Sequence, residues 1–109
     1  MATQRPYRPL DDIRVLALGA FLADPFCGQL LADFGAEVIK VEPPGKGDPM
    51  REWGRHRVPG RTLWWPILSR NKTSITLDLR TPEGQEIARE LATQCDIMVE
   101  NFRPGTLED

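Results

Sequence analysis

Residues 13–42 constrain this chain more tightly than any other stretch. Ile13-Arg-Val-Leu-Ala-Leu-Gly19 is β-rich and mostly apolar, the pattern of a buried strand. Asp24-Pro25 reads as a helix N-cap followed by proline at the first helical position. Gly35 is placed to stop that helix, because glycine tolerates the left-handed conformation that follows a C-cap. A helix is therefore predicted over residues 25–34, with Phe26, Leu30, Leu31 and Phe34 at helical spacing to cover a sheet face. Glu37-Val-Ile-Lys-Val-Glu42 is a second strand. Strand, helix and strand in this order predict a right-handed βαβ unit.

Pro43-Pro-Gly-Lys-Gly-Asp-Pro49 then breaks the regular structure. Residues 50–70 show no clear period, although Thr62-Leu-Trp-Trp-Pro-Ile-Leu-Ser69 is read to include a short helix. Ser74-Ile-Thr-Leu-Asp-Leu79 alternates polar and apolar residues, as a half-exposed strand does. Thr81-Pro-Glu repeats the cap-plus-proline pattern, and Gly84 weakens the first turn. Ile87, Ala88, Leu91 and Ala92 line one face of a helix ending near Cys95. Asp96-Ile-Met-Val-Glu100 is the last strand and Asn101-Phe-Arg-Pro-Gly105 a turn-rich exit. Residues 1–12 are a polar lead-in, and residues 13–109 form one α/β segment: a Rossmann-like parallel sheet with flanking helices. No helix follows the last strand, whereas a parallel sheet needs cover on both faces. The expectation is an incomplete portion of a larger fold, or a protein that takes its cover from a partner.

Composition narrows the function classes. The 109 residues allow one domain, and the hydrophobic fraction of 40% suits an ordinary globular core. A formal net charge of −2 makes no case for nucleic acid. No apolar run approaches the ~20 residues that cross a bilayer, and the polar start lacks the apolar stretch of a secretory signal. Cys27 and Cys95 make neither a disulfide framework nor a zinc pattern, so a reduced, cytoplasmic setting is expected.

Ligands of open α/β sheets sit beyond the carboxyl ends of the strands. Three such ends are visible: Gly19-Ala-Phe-Leu-Ala-Asp24, Asp78-Leu-Arg80 and Glu100-Asn-Phe-Arg103. The first leads into a helix N-terminus, where free N–H groups favour an anion. Arg80 and Arg103 could clamp phosphate and Phe102 could stack on a base, which together suit a nucleotide-like ligand. The plainer readings are solvated arginines and a core phenylalanine. There is no Gly-x-Gly-x-x-Gly after the first strand and no phosphate loop of the Gly-Lys-Ser/Thr type. Trp53, Trp64 and Trp65 read as packing or interface residues. His56, between Arg55 and Arg57, is expected to have a lowered pKa and a structural or exposed role. Cys27 is expected to be buried against the sheet. On residues alone the reading stops at an α/β domain with a site for a phosphate-bearing ligand.

Gly35-Ala-Glu-Val-Ile-Lys-Val-Glu-Pro-Pro-Gly-Lys-Gly-Asp48 closely resembles the start of the class III CoA-transferases of the CaiB/BaiF type. That family includes formyl-CoA and carnitine CoA-transferases and α-methylacyl-CoA racemases. Arg51-Glu-Trp-Gly54, Arg70-Asn-Lys-Thr-Ser-Ile-Thr-Leu-Asp-Leu79 and Cys95-Asp-Ile-Met-Val-Glu-Asn-Phe-Arg-Pro-Gly105 are similar to later family blocks, in family order. The resemblance covers the chain from about Leu10 to Asp109.

The resemblance implies the N-terminal portion of an enzyme that moves coenzyme A between an acyl-CoA and a carboxylic acid. Coenzyme A is then a substrate rather than a resident cofactor, and the full-length family forms homodimers of interlocked rings. It implies CoA contacts at Leu22 and Ala23, at Leu77, Asp78, Leu79 and Arg80, and at Asn101, Phe102 and Arg103. The family's nucleophile is an aspartate that lies farther along its chain, and no aspartate here occupies its place, so no catalytic residue is assigned. Two departures stand out. Asp24 replaces a usual glycine, and Pro43 replaces an arginine that contacts coenzyme A in many members. A racemase-like segment, a non-catalytic acyl-CoA or nucleotide module and an inactive truncation are the alternatives.

Overall fold

The pairing of the strands follows from their apolar content. The computed structural model describes residues 7–20, 22–55, 57–59 and 61–108, apart from the side chains of Arg57, Val58, Arg61 and Trp64. Strand β1 (Arg14–Ala17) lies at the centre, with Val15, Leu16 and Ala17 wholly buried. It pairs in parallel with β2 (Glu37–Glu42), Arg14 facing Glu37 and Ala17 facing Lys40. A two-residue antiparallel ribbon, β3 (Arg57–Val58) and β4 (Arg61–Thr62), stands apart from the main sheet. Strand β5 (Lys72–Thr76) pairs in parallel with β2, and β6 (Ile97–Val99) in parallel with β1. The order across the sheet is β5-β2-β1-β6.

Helix α1 (Ala23–Asp33) connects β1 to β2. It ends in a Schellman arrangement, with Gly35 N–H donating to Ala32 and Ala36 N–H to Leu31. Gly35 has φ +111°, as that motif requires. The N-terminus departs from expectation. Leu22 is the N-cap and offers no side-chain bond, while Asp24 lies inside the first turn and accepts from Gly19 N–H at 2.8 Å. The covering face differs too. Asp24, Pro25, Gly28, Gln29 and Ala32 are the buried residues, whereas Phe26, Leu30 and Phe34 stand 43–56% exposed. Small side chains let the helix lie close to the sheet, so the bulky ones point away. A Cβ on Gly28 would already sit 3.5 Å from Val38 Cγ1. Cys27 is exposed rather than buried.

A single 3-10 turn (Pro49–Glu52) and helix α2 (Trp64–Leu68) fill the segment between β2 and β5. Asp48 caps the turn, accepting from Met50 N–H at 2.9 Å. Strand β5 starts two residues before the predicted Ser74 and ends at Thr76, because Lys72 pairs with Val38 and brings the edge strand into register earlier. Helix α3 (Pro82–Thr93) has the predicted cap: Thr81 Oγ1 accepts from Gly84 N–H at 3.0 Å. Ala88, Leu91 and Ala92 are partly buried, while Ile87 is exposed.

Two apolar clusters lie on opposite faces of the sheet. Val15, Ala17 and Val38 meet Ala32 and Ala36 under α1. Leu16, Leu18 and Val41 meet Ile39, Ile75, Leu91, Ala92 and Cys95 under α3. One face is thus covered by α3 and the other by α1 with α2 beside it, the flanking helices that the sequence predicts. The last strand remains poorly covered, with Ile97 and Met98 both exposed. Among the described residues no helix is long and apolar enough to cross a membrane.

Candidate functional site at the strand tips

All four strands of the sheet run parallel, so their carboxyl ends share one edge. The chain builds outward from β1 through β2 to β5, then returns to the other side of β1 as β6. The strand order therefore reverses between β1 and β6, and a reversal of this kind opens a crevice at the strand tips.

The two sides of that crevice are tied by one side chain. Asn101 Nδ2 donates to Ala20 carbonyl oxygen at 2.8 Å, and Ala20 N–H donates to Asn101 Oδ1 at 3.1 Å. Gly19 permits this closeness: a Cβ there would lie 2.0 Å from Asn101 Oδ1 and 2.6 Å from Asp24 Oδ2. Leu22 and Ala23 are exposed at the start of α1. Arg103 is exposed beyond β6. Phe102 is only partly buried and packs against the cluster under α3, so its ring serves the core before any base.

The third tip is built differently. Leu77 and Leu79 are partly buried in the cluster that holds Phe102, leaving mainly their backbone for a ligand. Leu77 N–H donates to Glu42 carbonyl oxygen at 2.9 Å. Arg80 is exposed, and its Nε donates to Asp78 Oδ1 at 3.1 Å. That side-chain bond, with a second from Arg80 N–H, holds the Asp78 carboxyl below the usual carboxylate range. The β5 and β6 tips are three strand spacings apart, about 14 Å, so one small ion cannot span them and an extended ligand can.

A buried charge network supports these tips, and the sequence reading missed it. Lys40 Nζ donates to the Gly19 carbonyl and pairs with Asp48 at 2.8 Å, both side chains being at most 2% exposed. Glu42 accepts from Arg51 Nε and Nη2 at 2.7 Å each, from Asp48 N–H at 2.8 Å, and from the Ser74 hydroxyl. Burial alone would raise the Glu42 pKa, but these donors outweigh it and hold the carboxyl at about 2. Arg51 also lies over the Trp65 ring, 4.2 Å from its centroid. Asp24 is buried and its pKa is raised, chiefly by desolvation, against the Gly19 N–H bond. The available clue was the inward alternation Val38, Lys40, Glu42 on a strand covered on that face, where charges must find partners.

Other features carry less. A concavity of about 590 Å³ lies at the opposite end of the sheet around Arg8, Asp11, Gly35 and Asn71, and its Arg8 and Asp11 pair with each other at 2.9 Å. Among the described residues no group of three or more metal-ligating side chains occurs. His56 and the side chain of Trp64 lie outside the described residues. Both cysteines are free, and burial raises the pKa of Cys95.

The model of CoA-transferase family III matches residues 10–109. The chain belongs to that family. The succinyl-CoA–D-citramalate CoA-transferase of Chloroflexus aurantiacus is 77% identical over the whole chain, which covers 27% of that protein. The succinyl-CoA:glutarate CoA-transferase of Homo sapiens is 45% identical over 92% of the chain and 23% of its own length. A CaiB/BaiF family protein from Brucella suis superposes with a TM-score of 0.83 at 44% identity, over 93% of this chain and 28% of that one. The chain thus spans about a quarter of the family III proteins it matches, and its sheet is the N-terminal portion of their fold.

Proposed function

We propose that this chain supplies part of the coenzyme A site of an enzyme that moves coenzyme A from an acyl-CoA to a carboxylic acid. The observation that carries the proposal is the parallel sheet whose three tips, with Leu22, Ala23, Arg80, Asn101 and Arg103 exposed or half-exposed along one edge, sit in a family III chain. The β1–β6 crevice would take one end of the ligand and the Asp78–Arg80 turn another, with Leu77, Leu79 and Phe102 shaping the floor between them. Succinyl-CoA is the proposed donor and a dicarboxylic acid the proposed acceptor, since the relatives with 45–77% identity described above use succinyl-CoA by name. The nucleophile is not assigned to any aspartate of this chain. Its buried Asp24 and Asp48 are committed to Gly19 N–H and to Lys40. The two unpaired cysteines suit a reducing, cytoplasmic setting.

The test is a backbone NMR titration of the 109-residue chain with coenzyme A at millimolar levels. Shifts confined to residues 20–24, 77–80 and 101–103 are expected, with weaker binding in Arg80→Ala and Arg103→Ala. Shifts centred instead on the Arg8–Asn71 concavity would overturn the site. Succinyl transfer catalysed by this chain alone would overturn the view that it lacks the nucleophile.

A further inference from the structure

The sheet face under α1 and α2 holds a small cavity that the strand-tip site leaves unused. It measures about 110 Å³ and is lined by Lys40, Arg51, Trp65, Ser69, Lys72 and Ser74. Three of the six are cations and none is an acid. Two of these cations have acids of their own, Lys40 with Asp48 at 2.8 Å and Arg51 with Glu42 at 2.7 Å. Lys72 differs: among the described residues it makes no ion pair, and its Nζ donates to the Pro25 carbonyl at 2.7 Å.

An ammonium has three donors. Lys72 places one on Pro25 and Lys40 places one on Gly19, while Asp48 Oδ2 lies 2.8 Å from Lys40 Nζ as an ion pair without accepting a hydrogen bond. Each therefore keeps a proton that no hydrogen bond among the described residues uses. The serine hydroxyls spend their protons elsewhere, Ser69 on Trp65 carbonyl oxygen and Ser74 on Glu42, so the ammonium groups are the donors left for an anion. Arg51 is held edge-on by Glu42 and face-on by Trp65, so it adds its field from a fixed position. A water in the liquid occupies about 30 Å³, so the cavity has room for an anion of carboxylate size and not for a nucleotide.

We propose that this cavity binds a small carboxylate-class anion between the ammonium groups of Lys40 and Lys72, beneath the Arg51–Trp65 pair. The site is separate from the coenzyme A reading and does not depend on it. Burial, and next to it the charge of Lys40, hold the Lys72 pKa down at about 8, a strain that a bound anion relieves. Asp24 and Asp48 act in the opposite sense, because the charges of both carboxylates interact with Lys72 and would repel the anion.

Lysine Cε resonances of the 109-residue chain, followed in a titration with acetate at constant ionic strength against gluconate, test this. Lys72 and Lys40 should move together and saturate with one dissociation constant. Lys72→Met should weaken that constant at least about tenfold, the loss of one charge-assisted hydrogen bond. Lys72→Arg keeps the charge, and in it the Lys40 resonance should still saturate. Asp24→Asn, which retains an acceptor for Gly19 N–H, should tighten binding. Linear, unsaturable shifts, or a Lys72→Met chain that binds as tightly as its parent, would overturn the site. Saturation by chloride but not by acetate would overturn the carboxylate assignment.

Discussion

The two faces of this sheet are held by different forces. Under α3, Leu16, Leu18 and Val41 meet leucines, isoleucines and Phe102 in an apolar cluster. Under α1 the apolar cluster stops at Val38, and beyond it the same strand turns Lys40 and Glu42 inward against Asp48, Arg51 and Ser74. Apolar contact is tolerant of small shifts, whereas a buried ion pair has one working geometry. The charged face is thus the one that sets positions, and it does so at the site: Lys40 holds Gly19, and Gly19 sits where Asn101 ties β6 to β1.

Breaking the charged face should cost most. Lys40→Met keeps the stem but leaves Asp48, 1% exposed, without its cation. A loss of about 3–5 kcal/mol is expected, read as a lower urea midpoint. A change below about 1 kcal/mol would show that the pair behaves like a surface one, as Arg14–Glu37 at 2.8 Å and half-exposed should. Acid probes the same face without mutation. The folded Glu42 pKa, about 2, lies below its ordinary value of 4.5. The stability it contributes is complete above about pH 4.5 and is lost as pH falls towards about 2. Arg51→Met should flatten that acid limb. An acid limb unchanged in the variant would mean that other carboxylates produce it.

How much of this was legible in the sequence depended on the range of the forces involved. Local backbone chemistry was readable. Strand β2 occupies the predicted residues 37–42, Gly35 stops α1, Thr81 caps α3 and a short helix lies within residues 62–69. The strand tips were readable as well, since parallel topology alone brings their ends to one edge. What failed were judgements that needed a third dimension. Asp24 has the residue type of a cap, yet its carboxylate accepts from Gly19 N–H beyond the end of β1, and Leu22 takes the N-cap position. The charge network joins residues 40, 42, 48, 51 and 74, a set that no single period contains.

On the apolar face the sharpest probe is a glycine. Propensity makes Gly84 a weak point in α3, and by propensity alone Gly84→Ala would gain about 1 kcal/mol. The fold reverses that sign. A Cβ at residue 84 would lie 1.9 Å from the Asp78 carbonyl oxygen, a backbone atom that cannot step aside without moving the β5 tip. The substitution should therefore destabilise by about 1–3 kcal/mol. It should also weaken any ligand held by Asp78 and Arg80. A variant more stable than its parent would place the α3 N-terminus farther from β5 than described.

The smallest effect separates the two accounts of α1. If Phe26, Leu30 and Phe34 covered the sheet, Phe26→Ala would leave a core cavity and cost about 3–5 kcal/mol. In the structure Phe26 is 47% exposed, and the sheet is met instead by Pro25, Gly28 and Ala32. Only the sheltered half of the ring then loses contact, about 1 kcal/mol by area. The thermal midpoint of Phe26→Ala beside that of Ala32→Leu decides the matter, because the face that carries the packing reverses which of them is tolerated. With Ala32 only 2% exposed against Val15, Ala17 and Val38, the leucine should be the worse of the two. The opposite order would rotate α1 back to the face its sequence pattern suggests.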